Sequence, residues 1–143
     1  MGDGLFFLDV NVPMYAAGKP HKAACAWVLT EVANARLDVV IDTEIVQEIL
    51  VRFGAIERWQ TGVQLATNLL ALTPSVLPVT VGEMETAVTL FGRYGPSGVK
   101  ARDVVHAAVM QTHQITHIIS TDKHFDQIEG IVRVDPLTLY AHR

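Results

Sequence analysis

An α/β domain built on a parallel sheet is the fold class this sequence predicts. Short runs rich in Val, Ile and Phe alternate with longer segments of helical periodicity. The runs are bounded by Asp, Gly, Pro or Thr, residues that end strands. No repeat, low-complexity tract or long linker interrupts the alternation, and 143 residues suffice for one domain, 1–143, with a substantial core.

The elements follow in order. Strands are expected at Leu5–Leu8, Val39–Ile41, Val76–Thr80, His117–Ser120 and Ile131–Val134. His21–Ala35 presents an Ala- and Leu-rich helical face and fills the space between the first two strands as one long helix. Thr43–Phe53, with Ile45, Val46 and Ile49 facing inward, and the amphipathic Ala55–Leu72 lie between the second and third strands. Gly82–Tyr94 and Lys100–Gln114 precede the fourth strand, separated by the Gly92–Gly98 stretch, which reads as a mobile loop. The expected architecture is a five-stranded parallel sheet flanked by helices, with right-handed crossovers placing helices on both faces in three layers, α/β/α.

Composition narrows the function classes. Half the residues (50%) are hydrophobic and 18% are charged, which is globular rather than disordered. A net charge of −4 argues against a broad polyanion-binding surface. It is compatible with an enzyme that meets phosphates through bound metal ions, the largest local charges in such a site. No apolar run reaches the ~20 residues of a membrane span. The N-terminus lacks the basic-then-apolar pattern of a secretory signal. The single Cys25, expected in the core, allows no intramolecular disulfide. A cytoplasmic protein with no membrane partner is the expectation.

The chain directions bring separated acids together. In a parallel sheet the loop after each strand leaves from the carboxyl edge, so Asp9 after the first strand and Asp122 after the fourth lie there. Asp103 opens the helix that leads back to the fourth strand, so it shares that edge. Glu48 is about five residues into the helix after the second strand, roughly 7–8 Å along it at 1.5 Å per residue. If the first and fourth strands are neighbours, these acids meet at the switch point where open α/β sheets bind ligands. Clustered carboxylates repel one another unless a cation sits among them, which points to a divalent metal.

The motifs Leu8-Asp9-Val10-Asn11, Thr43-Glu44-Ile45-Val46-Gln47-Glu48-Ile49-Leu50, Asp103-Val104-Val105-His106-Ala107-Ala108 and Ser120-Thr121-Asp122-Lys123-His124-Phe125 resemble those of the PIN-domain ribonucleases. The chain looks most like the stand-alone toxins of VapC type, over Phe6 to Pro136. The resemblance implies Mg²⁺- or Mn²⁺-dependent cleavage of single-stranded or looped RNA, leaving a 5′-phosphate and a 3′-hydroxyl. It implies a cognate antitoxin and a homodimer. It makes Asp9, Glu48, Asp103 and Asp122 the catalytic acids, with Asp126 a further metal ligand and Ser120 a support. On chemical grounds Asp9 and Asp103 are direct metal ligands, Asp122 binds directly or through water, and Glu48 holds or deprotonates the attacking water.

Each residue has a bland alternative. Asp9 could merely end a strand and cap the next segment, Asp122 could be a turn residue, Asp103 an acid favoured by the helix dipole, and Glu48 a solvated helix residue with Glu44 competing for its role. Asp126 reads as surface. Asn11 orients Asp9 or makes an ordinary turn. His106 reads as a core histidine hydrogen-bonded to backbone, and Tyr94 as packing rather than a platform for a base. Lys100 and Arg102 meet RNA phosphates or are solvated charges. The His113/His117 spacing is a weak zinc signal without a nearby Cys. Two other functions compete: a non-catalytic interaction module of the same fold, and a haloacid-dehalogenase-like phosphatase suggested by Leu8-Asp9-Val10-Asn11-Val12, which lacks the second acid at Asn11.

Overall fold

The computed structural model describes residues 4–16 and 21–143. The elements are β1 (Leu5–Leu8), α1 (Asn11–Ala16), α2 (Lys22–Ala33), β2 (Asp38–Asp42), α3 (Thr43–Ala55), α4 (Trp59–Leu72), β3 (Val76–Leu77), α5 (Val81–Tyr94), α6 (Ala101–Thr112), β4 (His117–Ile119), β5 (Val132–Val134) and α7 (Pro136–Ala141). All strand pairs are parallel, in the order β3-β2-β1-β4-β5. This is the expected five-stranded parallel sheet flanked by helices, and β1 does neighbour β4.

The register aligns the strand ends. Phe7 pairs with Val40 of β2 and with Ile118 of β4. Continuing it sets Asp9 level with Asp42 on one side and Ser120 on the other. The Asp9 N–H donates to the Ile119 carbonyl at 3.1 Å, which closes the β1–β4 ladder at that edge.

Beneath this edge lies an apolar core. Phe7, Leu8, Ile41, Ile118 and Ile119 of the strands are fully buried, as are Ile45 and Ile49 of α3. In α6 every residue from Asp103 to Met110 is buried, so this helix is enclosed by protein rather than lying on the surface. Cys25 is a buried free thiol, as expected.

Helix α7 follows β5 where none is expected, and four features before β4 also differ from the sequence-based expectation. The space between β1 and β2 holds two described helices rather than one, because α1 begins only two residues after Asp9. Pro13 is no obstacle there, since a first-turn N–H has no intrahelical partner to lose. The helix expected from Ala55 begins at Trp59, after a turn in which Glu57 adopts φ 56°. That turn folds α4 back on α3 so closely that a Cβ on Gly62 would lie 2.9 Å from the Phe53 Cβ. β3 stops at Leu77 because Pro78 lacks the ladder donor. Finally, the stretch read as a mobile loop continues α5 to Tyr94 and then forms a short 3₁₀ turn over Gly95–Ser97.

Candidate active site

At the end of β1 the Asp9 carboxylate is held on both oxygens. The Val10 N–H donates to Oδ1 at 2.8 Å. The Ser120 hydroxyl donates to Oδ2 at 2.6 Å and the Asn11 amide at 3.1 Å. Ser120 Oγ also accepts from the Asp122 N–H at 2.9 Å, and Asn11 Oδ1 from the Thr121 N–H at 3.3 Å. Ser120 and Asn11 therefore lock the ends of β1 and β4 together. Asp122 caps the short 3₁₀ turn Lys123–Gln127, its Oδ1 accepting from the His124 N–H at 2.9 Å.

Asp103 enters from the first turn of α6, where Lys100 N–H donates to its Oδ2 at 3.4 Å. One potential ligand atom from each of Asp103, Asp122 and His124 lies within 4.8 Å of the other two. Asp103 is almost wholly buried, with 2% exposure, and Asp9 is buried beside it.

Glu48 approaches from the second turn of α3. Its Oε1 accepts from His106 Nε2 at 2.6 Å, while Oε2 lies 3.2 Å from Arg102 Nε. The Arg102 contact lacks hydrogen-bond geometry, so Oε2 is a buried oxygen without a hydrogen-bond partner. The other ring nitrogen of His106, Nδ1, lies 2.8 Å from Asp42 Oδ2. Asp42 in turn caps α3, its Oδ1 accepting from the Ile45 N–H at 3.0 Å.

The electrostatics follow from this crowding. Burial, then the neighbouring Asp122 and Asp9, push the Asp103 carboxyl up to about 6 from its ordinary 3.8. Burial also raises Asp9, against the opposing pull of His106 and the Ser120 hydrogen bond. For His106, burial alone would lower the pKa. The Asp42 charge and the hydrogen bonds to Asp42 and Glu48 overcome it and hold the ring well above 6.5. A neutral imidazole donates from one nitrogen only, so two carboxylate contacts fit an imidazolium.

Beside Asp122 opens a cleft of ≈ 580 Å³ lined by Asn11, Tyr15, Thr121, Asp122, His124 and Gln127, and by the cations Arg52, Lys100, Arg102 and Lys123. Asp122 is the one site carboxylate in that lining, and four cations surround it. That is an arrangement for a polyanion whose phosphate approaches a cation-binding group.

Comparison with known proteins agrees with this geometry. The family model described as PIN domain matches residues 6–131. The chain belongs to the PIN domain family. It is 33% identical over 132 residues to "Ribonuclease VapC13" of Mycobacterium tuberculosis, covering 91% of this chain and 99% of that protein. It is 31% identical over 120 residues to "Ribonuclease VapC23" of the same species, covering 82% and 93%. Among solved structures, M. tuberculosis VapC20, described as a sarcin-ricin loop cleaving toxin, superposes with a TM-score of 0.76 at 18% identity, covering 90% of this chain and 98% of that one. VapBC2 from Rickettsia felis, bound to a promoter DNA fragment, superposes with a TM-score of 0.72 at 13% identity, covering 92% and 98%.

Within this PIN domain Asp9, Asp103 and Asp122 gather at the edge, and Glu48 is buried nearby with 7% exposure. Glu44 is only partly buried and makes no contact with His106 comparable to that of Glu48. Asp126 stands apart: it is half exposed and held by Arg133 Nε at 3.0 Å and Nη2 at 3.3 Å. Ser120 and Asn11 both orient Asp9. Tyr94 is buried and its hydroxyl accepts from the Glu129 N–H at 3.1 Å, so it packs, while Tyr15 faces the cleft. His113 and His117 join no ligand group among the described residues.

His106 is a core histidine, but its partners are two carboxylates rather than backbone. Asp42 was missed altogether. Its signal was present in the sequence: like Asp9, it is an acid directly after a Val/Ile strand, and it stands level with Asp9 across the sheet.

Proposed function

We propose that this PIN domain is a divalent-metal-dependent endoribonuclease of VapC type, the toxin of a toxin–antitoxin pair acting in the cytoplasm. The observation that carries the reading is the convergence of Asp103, Asp122 and His124, with Asp9 close to Asp103, at the edge of a cation-lined cleft, in a chain similar over most of its length to VapC ribonucleases.

The donor set fits Mg²⁺ or Mn²⁺. It is carboxylate-rich, and one or two carboxylates with several waters satisfy such an ion. Asp103 and Asp122 would hold it, with Asp9 beside them and His124 within reach. A bound divalent cation supplies Lewis-acid activation of water and offsets charge on the phosphate. Arg52, Lys100, Arg102 and Lys123 bind the RNA backbone on either side of the scissile bond. Glu48, through the Oε2 that makes no hydrogen bond and lies beside Arg102, orients the attacking water and takes its proton. Asn11 and Ser120 fix the carboxylate plane of Asp9.

Two apolar surfaces support the proposed protein partners. Val81, Met84, Val88 and Phe91 form an exposed stripe at helical spacing on α5, which suits a second copy of the chain. A cleft of ≈ 430 Å³ lined by Met14, Phe53, Leu65 and the polar Gln60, Thr61, Gln64 and Asn68 suits an apolar antitoxin segment. Among the described residues no helix is long and apolar enough to cross a membrane.

Incubation of labelled RNA with Mg²⁺ or Mn²⁺ tests the reading. Wild-type protein cleaves, chelator stops it, and Asp103→Asn is inactive. Cleavage that survives both chelator and the substitution would overturn it. Metal binding absent by calorimetry, together with tight protein-partner binding, would favour the interaction-module alternative.

A further inference from the structure

The chain Asp42–His106–Glu48 is not accounted for by the metal cluster. All three side chains are buried, in a protein where an unpaired buried charge is strongly unfavourable. His106 lies on α6, while both its partners belong to α3 or its cap. The ring is further fixed by Phe7, whose centroid is 5.2 Å away at an interplanar angle of 41°.

A core filler would not need both ring nitrogens engaged. Here Nδ1 is anchored on Asp42 at 2.8 Å, and Asp42 is itself immobilised by capping α3. Nε2 then grips one oxygen of Glu48 at 2.6 Å and leaves the other oxygen without a hydrogen bond. Glutamate has three rotatable bonds, so a free Glu48 would sample many positions. Arg102 is partly exposed and approaches without hydrogen-bond geometry, so it does not substitute for the His106 anchor.

We infer that His106, anchored by Asp42, is a positioning residue that fixes one oxygen of Glu48 and thereby presents the other to the reacting water. The inference rests on the ribonuclease reading and adds a residue that does not touch the substrate. The same contact docks α6, which carries Asp103, against α3, which carries Glu48. The two acids are thereby held in one frame.

Amide side chains separate positioning from packing. The Gln amide nitrogen mimics Nε2 and retains a donor for Glu48; the Asn amide nitrogen mimics Nδ1 and retains a donor for Asp42. Both variants lose the imidazolium. RNA cleavage by His106→Gln, His106→Asn and Asp42→Asn is measured with saturating Mn²⁺, normalised to folded protein by circular dichroism. His106→Asn is expected to lose about 100-fold in kcat, since a mispositioned base forfeits that contribution, with KM unchanged. His106→Gln stays within about tenfold of wild type, because the Glu48 anchor survives.

A readout independent of turnover accompanies this. In metal-free protein, ¹⁵N-histidine spectra show protons on both ring nitrogens of His106, and Glu48→Gln speeds exchange of the Nε2 proton. Equal kcat losses in the Gln and Asn variants, or a single protonated ring nitrogen, would overturn the inference while leaving the nuclease intact. If His106→Asn does not fold, Asp42→Asn decides: unchanged kcat overturns the inference, and a kcat loss at constant KM supports it. Absence of cleavage by wild-type protein sinks the ribonuclease reading itself, and this inference with it.

Discussion

Replacing Asp103 with Asn should make the metal-free protein more stable. Asp103 is buried, and its carboxyl is pushed up to about 6 by that burial and by Asp122 and Asp9. The folded protein therefore holds this proton more tightly than the unfolded chain does. Stability falls as pH rises between the ordinary value of 3.8 and about 6. The penalty is absent below that window and complete above it. Its full size is about 3 kcal/mol. Asn cannot ionise, and its carbonyl can still accept from the Lys100 N–H. At pH 8 in chelator, Asp103→Asn is expected to exceed wild type by up to about 3 kcal/mol, or roughly 9 °C in Tm for a chain of this size. At pH 3 the two should coincide. Mn²⁺ at a thousand times its Kd reverses the order, since it stabilises wild type by about 4.1 kcal/mol and the variant has lost a ligand. Urea unfolding at pH 3, 5 and 8, with and without metal, reads all of this. A variant less stable at pH 8 in chelator, or a difference that ignores pH, would show that Asp103 is not held in a repulsive cluster.

Four other outcomes follow from the same geometry. Lys100→Ala and Arg102→Ala should weaken RNA binding, each lowering the salt slope by about 0.7 if it contacts a single-stranded phosphate; filter binding across a salt series measures this. His106→Ala should cost about 3–5 kcal/mol by stranding two buried carboxylates. Because its folded pKa is raised, the stabilisation is full below 6.5 and lost only as pH climbs through the higher folded value, so the wild type–variant gap narrows at alkaline pH. Asp126→Ala should leave the Mn²⁺-induced Tm increase unchanged, because Arg133 engages that carboxylate; a lost metal response would return it to the site. Val88→Asp on α5 should convert a dimer to monomer in sedimentation, and a wild type that is monomeric at all concentrations would remove that face from consideration.

The sheet was legible because its strands are short apolar runs with clear stops, and because parallel connections leave few places for the intervening acids. Asp9, Asp103 and Asp122 followed from chain direction together with the assumption that the first and fourth strands are neighbours. Two six-residue helices, α1 and α7, were less visible for a local reason. α7 is announced by Asp135 and Pro136, a cap followed by a proline at the first helical position. However, six residues carry too little periodicity to register. β3 was overextended because Val76–Thr80 looks β-favourable residue by residue, while Pro78 decides where pairing ends. Asp42 escaped notice, and His106 was read as a core histidine with backbone partners, because their meaning is a contact across 64 residues of sequence. No local pattern states that a cap residue of one helix faces the ring of another.

The net charge of −4 argued against a polyanion surface, but a whole-chain total does not report how cations are grouped. The cations of the cleft come from positions 52, 100, 102 and 123, so no basic run appears in the sequence. The first turn of α6 shows the principle at its smallest scale. Successive residues on a helix are separated by roughly 100° of rotation. Asp103 is thereby buried among the acids, while Arg102, one residue away, lines the cleft, and Lys100 lines it from the cap position. One turn thus supplies both a carboxylate for the proposed metal and cations for the phosphates. Inserting a single residue between Lys100 and Asp103 would rotate the acids and cations out of step. Such a variant should lose metal-dependent stabilisation and RNA binding together, whereas two independent sites would be lost separately.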